Sequence, residues 1–174
     1  MKRLLATLRK LLQGRTLPFA IQQQQQTNWC WSACATSASV FYDPDSTWAQ
    51  CKLVTAELGV GTCCADGSSA ACNQPYYLDR ALTRTGNLGE FKRGRVGLDT
   101  VRSEINAGRP VAARVGWRGG GGHFVVLTGY RWVGGRVEVD VRDPWSGSSS
   151  IPLDEFANNY KGSGTWTHTY LTSA

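Results

Sequence analysis

The stretch Gln24-Gln-Gln-Thr-Asn-Trp-Cys30-Trp31-Ser-Ala-Cys34 decides the reading of this chain. Residues 30–42 are small and apolar and run into Asp43-Pro44, a pattern that predicts a helix buried on most sides and stopped by the proline. Cys30 opens that helix. A cysteine there sits at the positive end of the helix macrodipole, near unpaired backbone N–H groups, and both favour thiolate over thiol. Cys34 lies one turn further in and is followed by Ala35, so it is expected to be a packed, inert thiol.

Outward from this helix, three more are expected, at residues 47–58 with Gly59 as terminator, at 75–85 with Gly86 just past the end, and at 99–107 with Asp99 as cap. After Pro110 the hydrophobic period changes to two. Strands are expected at 111–117, 123–132 and 136–142, with Gly134-Gly135 turning between the last two, followed by a short helix at 153–160 and a strand at 165–172. Helices first and an antiparallel sheet afterwards make an α+β fold of two lobes with a cleft between them.

A nucleophilic sulfur needs a base, and the chain has only two histidines, His123 and His168. His168 alternates with polar and aromatic neighbours on the last strand and reads as an ordinary strand residue. His123 follows a glycine run, residues 119–122, and Asp143 opens Asp143-Pro144-Trp145 at the end of a later strand. Neighbouring strands can bring the two together, with Asp143 fixing the imidazole tautomer and stabilising His⁺ beside Cys⁻. The glycine run is not a phosphate loop, because no Lys-Ser/Thr follows it and a strand, not a helix, comes next.

These residues resemble the papain superfamily of cysteine proteases, in which a glutamine lies six positions before the catalytic cysteine and a tryptophan follows it. Gln24, Cys30 and Trp31 match that pattern, and His123, Asp143 and Trp145 match its later histidine, acid or amide, and tryptophan in order and spacing. Asn28-Trp-Cys-Trp31, Gly-His-Phe-Val-Val-Leu-Thr-Gly from Gly122 and Asp143-Pro-Trp are most similar to bacterial papain-like enzymes, including proteases delivered into plant cells, and to bacteriocin-processing peptidases. The resemblance covers about residues 22–172. It implies a papain-like fold with a helical N-terminal lobe and an antiparallel β-sheet C-terminal lobe. It also implies peptide hydrolysis by Cys30, His123 and Asp143, with Gln24 and a backbone N–H holding the oxyanion, on a protein or peptide substrate. Trp29, Trp31, Trp145 and Gly122 are expected to line the substrate cleft. The Cys-Gly-Ser-Cys-Trp of the plant and lysosomal enzymes is absent, so their subsite loops do not carry over. Transfer of the acyl group to an amine by the same triad, and a non-catalytic disulfide-stapled binding module on the same fold, are the alternatives.

Four further cysteines, Cys51, Cys63, Cys64 and Cys72, fall within 22 residues. A vicinal bond is strained, so Cys51 is expected to join one of Cys63 and Cys64, and Cys72 the other. With no Cys-x-x-Cys pair, neither metal nor cofactor is expected. Two such staples point to an oxidising, extracytosolic destination, although no clear signal peptide precedes them.

Nineteen Lys and Arg against thirteen Asp and Glu give a net charge of +6, but five of the basic residues lie within residues 1–15 with no acid among them. The remainder is nearly neutral, and no nucleic-acid partner is expected. Leu4, Leu5, Leu8, Leu11 and Leu12 lie on one stripe of a basic amphipathic helix that fits a membrane-surface anchor, a pro-segment or docking helix, an unusual export signal, or a helix simply packed on its own domain. The expected division is therefore an N-terminal segment at 1–21 and a catalytic domain at 22–174, with Gly14 and Pro18 breaking the helix and residues 22–26 an extended linker.

Overall fold

The computed structural model describes residues 14–174. The leucine-striped segment, and with it the expected membrane contact through residues 2–12, lies outside the described residues. These fold into strand β1 (Gly14–Thr16), helices α1 (Cys30–Tyr42), α2 (Gln50–Leu58) and α3 (Leu78–Thr85), strand β2 (Leu88–Arg93) and helix α4 (Leu98–Asn106). Strands β3 (Val111–Trp117), β4 (Gly122–Val133), β5 (Arg136–Asp143) and β6 (Gly147–Pro152), helix α5 (Leu153–Asn159) and strand β7 (Gly164–Thr172) complete the chain. The sheet is antiparallel in the order β2-β7-β3-β4-β5-β6, with β1 added against β4.

Ten consecutive residues of α1, Cys30 through Ser39, are buried. Such a helix needs side chains small enough for neighbours to approach on every side, with each hydroxyl satisfied inside. Ser32 Oγ donates to Gln50 O, Thr36 Oγ1 to Ser32 O and Ser37 Oγ to Ala33 O. The helix packs between α3 and β4, which places its first residue beside the start of that strand.

Three strands were not expected from the pattern. The sequence reads as helical up to Pro110, yet β2 forms the sheet edge next to β7. Its Gly89 and Lys92 hide the alternation, and its paired residues on β7 are 75 to 84 positions away in sequence, from Arg93 with His168 to Leu88 with Thr172. β6 is a serine run that pairs with β5. β1, with the buried Leu17 and Phe19 behind it, joins residues 14–19 to the folded body. Residues 22–26 are no linker either. Gln22 N–H donates to Ser37 Oγ, Gln24 N–H to Pro144 O and Gln25 N–H to Gln50 Oε1, while the buried Gln50 amide donates to Gln23 O. A polar run is held rigidly here by hydrogen bonds rather than by apolar burial.

Cys51 is bonded to Cys64 and Cys63 to Cys72. The second bridge closes the loop that braces the start of α1. Asn28 donates two hydrogen bonds to Asn73, from its backbone N–H to Oδ1 and from Nδ2 to O, Trp29 Nε1 donates to Cys72 O, and Trp31 Nε1 donates to Gln74 O. Residues on both sides of Cys30 are thus tied to residues 72–74. Replacing Cys63 and Cys72 together by serine is expected to cost about 2–3 kcal/mol through the freed loop. Calorimetry should show a midpoint roughly 5–10 °C lower, and an unchanged midpoint would mean the bridge does not constrain the loop.

Candidate active site

A cleft of about 460 Å³ opens where the start of α1 meets the starts of β4 and the β5–β6 turn, and Cys30, His123 and Asp143 all line it. The sheet register explains how His123 and Asp143 come together. Val126 lies opposite Arg142, so Asp143 falls opposite Val125, one step along the same face from His123. His123 Nε2 lies 2.7 Å from Asp143 Oδ1. The Cys30 thiol hydrogen-bonds the ring as well. Since Nε2 is taken by Asp143, Nδ1 is left to face the sulfur.

Burial of the ring pulls the His123 pKa down, but the hydrogen bonds to Asp143 and Cys30 outweigh it and raise the value from 6.5 to about 9. Asp143 moves the other way. Its burial disfavours the charge, yet the hydrogen bond to His123, the charge of that ring and the Lys161 ammonium hold it well below the usual carboxylate range. Cys34 is 1% exposed, and its thiol is pushed up, first by burial and then by the charges of Cys30 and Asp143.

Asp143 has more partners than the sequence discloses. Oδ1 also accepts from the Trp145 N–H at 2.8 Å, and Oδ2 accepts from Ser146 Oγ, the buried Tyr160 hydroxyl and Lys161 Nζ, each at 2.9 Å. Tyr160 and Lys161 come from the turn after α5, and Lys161 adopts a left-handed backbone, with φ of 50°, while its ammonium serves that carboxylate. Trp117, the last residue of β3, stacks on His123 with centroids 6.3 Å apart. No local motif marks these three residues, because the fold alone brings them to the pair.

The other sequence-derived candidates divide. Trp31, Trp145 and Gly122 line the cleft, Trp145 at 58% exposure. Trp29 does not. It is 1% exposed, and its ring fills the space where a side chain on Gly67 would sit, because the residue before Cys30 points away from the cleft into the bridged loop. Gln24 is also outside the lining. Its side-chain amide donates to Gln26 O at 2.8 Å and Thr27 O at 2.9 Å, and its Oε1 is buried without a partner among the described residues. His168 lies on β7, away from this cleft. Among the described residues no group of His, Cys, Asp and Glu is arranged to hold a metal ion.

The Peptidase_C39-like family matches residues 16–168. The chain belongs to that family. It is a papain-like cysteine peptidase, with helices and an antiparallel sheet arranged as in the solved structures it resembles. One of these is the double-glycine-motif protease of an AMS/PCAT transporter, solved with a leader peptide. It shares 21% identity over 91% of this chain and 94% of that one, with a TM-score of 0.51. Xylellain, a cysteine protease from Xylella fastidiosa, gives 12% identity, 91% and 84% coverage and a TM-score of 0.52. Digestive procathepsin L 3 of Tenebrio molitor larval midgut gives 13%, 97% and 78%, and 0.53. No curated protein matches the chain. This member of the family carries two disulfides, which suggests an extracytosolic environment. Among its described residues no helix is long and apolar enough to cross a membrane.

Lys161 gives the site a testable polar support. In Lys161→Met the Asp143 carboxyl loses a charge-assisted hydrogen bond and its pKa rises. The carboxylate is then lost at a higher pH as the solution is acidified, so the acid limb of kcat/KM should move upward. The rate at neutral pH should fall about tenfold, the size of one such bond. A pH–rate profile identical to that of the wild type would remove Lys161 from the site.

Proposed function

We propose that the chain hydrolyses peptide bonds with Cys30 as nucleophile, His123 as proton shuttle and Asp143 as the group that orients and charges the ring. The observation that carries this reading is the 2.7 Å contact of His123 Nε2 with Asp143 Oδ1 in the same cleft as Cys30, whose thiol also interacts with the ring. Sγ adds to the substrate carbonyl carbon, and the carbonyl oxygen takes the negative charge. His123 passes its proton to the departing amine as the C–N bond breaks, leaving a thioester on Cys30. Water then gives a proton to His123 and attacks that thioester, which releases the carboxylate product and restores the sulfur.

The oxyanion is assigned to the Cys30 N–H, at the uncapped start of α1, with Gln24 as second donor. The Gln24 amide sits next to the cleft, because one of the carbonyls it serves is that of Thr27, which lines it. It reaches the oxyanion after giving up one of its two loop carbonyls when substrate enters, in keeping with catalytic hydrogen bonds that tighten only in the complex. The test is incubation with a peptide library and a thiol-directed electrophile, followed by mass mapping. Cleavage with the label on Cys30 is the expected result. A label elsewhere, or an unlabelled chain that cleaves nothing, defeats the assignment.

A further inference from the structure

A second cavity, of about 800 Å³, adjoins the catalytic cleft and shares Pro75, Tyr76, Gly122 and Phe124 with it. Its floor is a row across four strands. Arg93 pairs with His168, His168 with Arg114, and Arg114 with Phe124, so the four side chains share one face of the sheet. Arg80 closes the opposite rim over the rings of Tyr76 and Tyr77. Among the described residues, Arg80, Arg93 and Arg114 have no carboxylate within 4.0 Å, unlike the paired Arg84, Arg102, Arg109 and Arg131. The cavity contains one acid, Asp79.

The place of Arg114 is built into the backbone. Its guanidinium donates to Thr167 Oγ1 at 3.1 Å and Gly121 O at 3.2 Å. A side chain on Gly122 would lie 2.5 Å from Nη2, and one on Gly116 would lie 3.3 Å from Nη1. Two glycines therefore leave the space the guanidinium occupies, next to the residue that precedes His123. The field is net positive at the cavity floor. Burial lowers the His168 pKa first, then the charges of Arg114 and Arg93, each outweighing the opposing effect of Asp79.

We infer that this cavity binds an acidic side chain of the peptide substrate, an aspartate or glutamate a few residues from the scissile bond, with Arg114 as its carboxylate partner and Arg93 and Arg80 as supporting cations. A guanidinium held in place by Thr167 and Gly121 loses little freedom on pairing, and its fork matches a carboxylate. The aromatic walls, Tyr76, Phe91, Phe124 and Tyr170, cover the methylenes. The inference rests on the peptidase reading above, since it gives the substrate class for that same cleft.

The experiment uses fluorescent peptides in which each position in turn carries Glu, Gln or Lys. Cleavage is measured with the wild-type chain and affinity with Cys30→Ala. At one position Glu should exceed Gln by about 10- to 100-fold in kcat/KM or Kd, as expected for hydrogen bonds to a charged group, and the advantage should shrink with added salt. Arg114→Gln should reduce that ratio to near one and Arg114→Glu should invert it toward Lys. Arg136→Gln, on the β4–β5 hairpin, should leave it unchanged. Because the readout is a ratio within each variant, partial loss of folding does not mimic the effect. Peptides that are cleaved, or bound by Cys30→Ala, without discrimination overturn the acidic pocket alone, as does a ratio that survives in Arg114→Gln. A chain that binds and cleaves nothing and leaves Cys30 unreactive overturns the peptidase reading and the inference with it.

Discussion

Cys30→Ala should reduce peptide hydrolysis by roughly five to six orders of magnitude, the usual cost of removing a nucleophile from a cooperating set, and should abolish labelling by an electrophilic thiol probe. Cys34→Ala should spare both. The two sulfurs sit one turn apart on α1 and are the free cysteines of the described chain. Cys30 faces the cleft and hydrogen-bonds His123. Cys34 is sealed in the core, where burial and the neighbouring charges of Cys30 and Asp143 push its thiol away from ionisation. Losing its sulfur removes a small buried group and costs about 1 kcal/mol or slightly more in stability. If Cys34→Ala silences the chain and Cys30→Ala does not, the helix carries its nucleophile one turn further in than the geometry assigns.

The second large effect is expected from Asp143→Asn. In the wild type His123 holds its proton up to about pH 9, so the imidazolium proposed to protonate the leaving amine is present across neutral pH and is lost as pH rises through that value. The same sign governs stability. The contribution of His123 to folding is fully present below the unfolded value near 6.5 and disappears as pH rises through about 9. Removing the Asp143 charge removes the main favourable influence on the ring, so the basic limb of kcat/KM should move from about 9 toward 6.5. The rate at neutral pH should fall by about 10²- to 10⁴-fold. A neutral amide also presents N–H donors to Lys161 Nζ and one of the carboxylate's other donors, so a modest loss of stability accompanies the kinetic effect. A pH profile whose basic limb stays in place in a folded Asp143→Asn chain would show that another group sets the charge of His123.

The parts of the fold legible in the sequence are those whose cause is local. Helix α1 begins and ends where its small-residue run does, and β3, β4, β5 and β7 follow their β-branched alternation almost to the residue. The order Gln24, Cys30, Trp31, His123, Asp143, Trp145 pointed to the cleft through its resemblance to the papain superfamily, and all of these but Gln24 line it. The parts that were not legible depend on partners remote in sequence. Strand β2 exists because β7 lies beside it, and the glutamine run is rigid because Gln50 and Pro144 accept or donate to its backbone. Trp29 reads as a cleft residue by proximity to Cys30, but helix geometry turns adjacent side chains apart by about 100°, and the bridged loop provides its pocket.

By itself, then, the sequence, read with its family resemblance, gave the class of fold and the candidate trio Cys30, His123 and Asp143, and divided six cysteines into two free thiols and four in bridges. Residue type and spacing carry that information directly. Only the tertiary structure decided which cysteines pair, that Tyr160 and Lys161 converge on Asp143, that Gln24 spends its amide on the loop before Cys30, and that three arginines with no carboxylate partner among the described residues meet beside the cleft. The physical reason is common to all of these. Hydrogen bonds and charges act over a few ångströms, and which groups come that close depends on how strands distant in sequence are set in register.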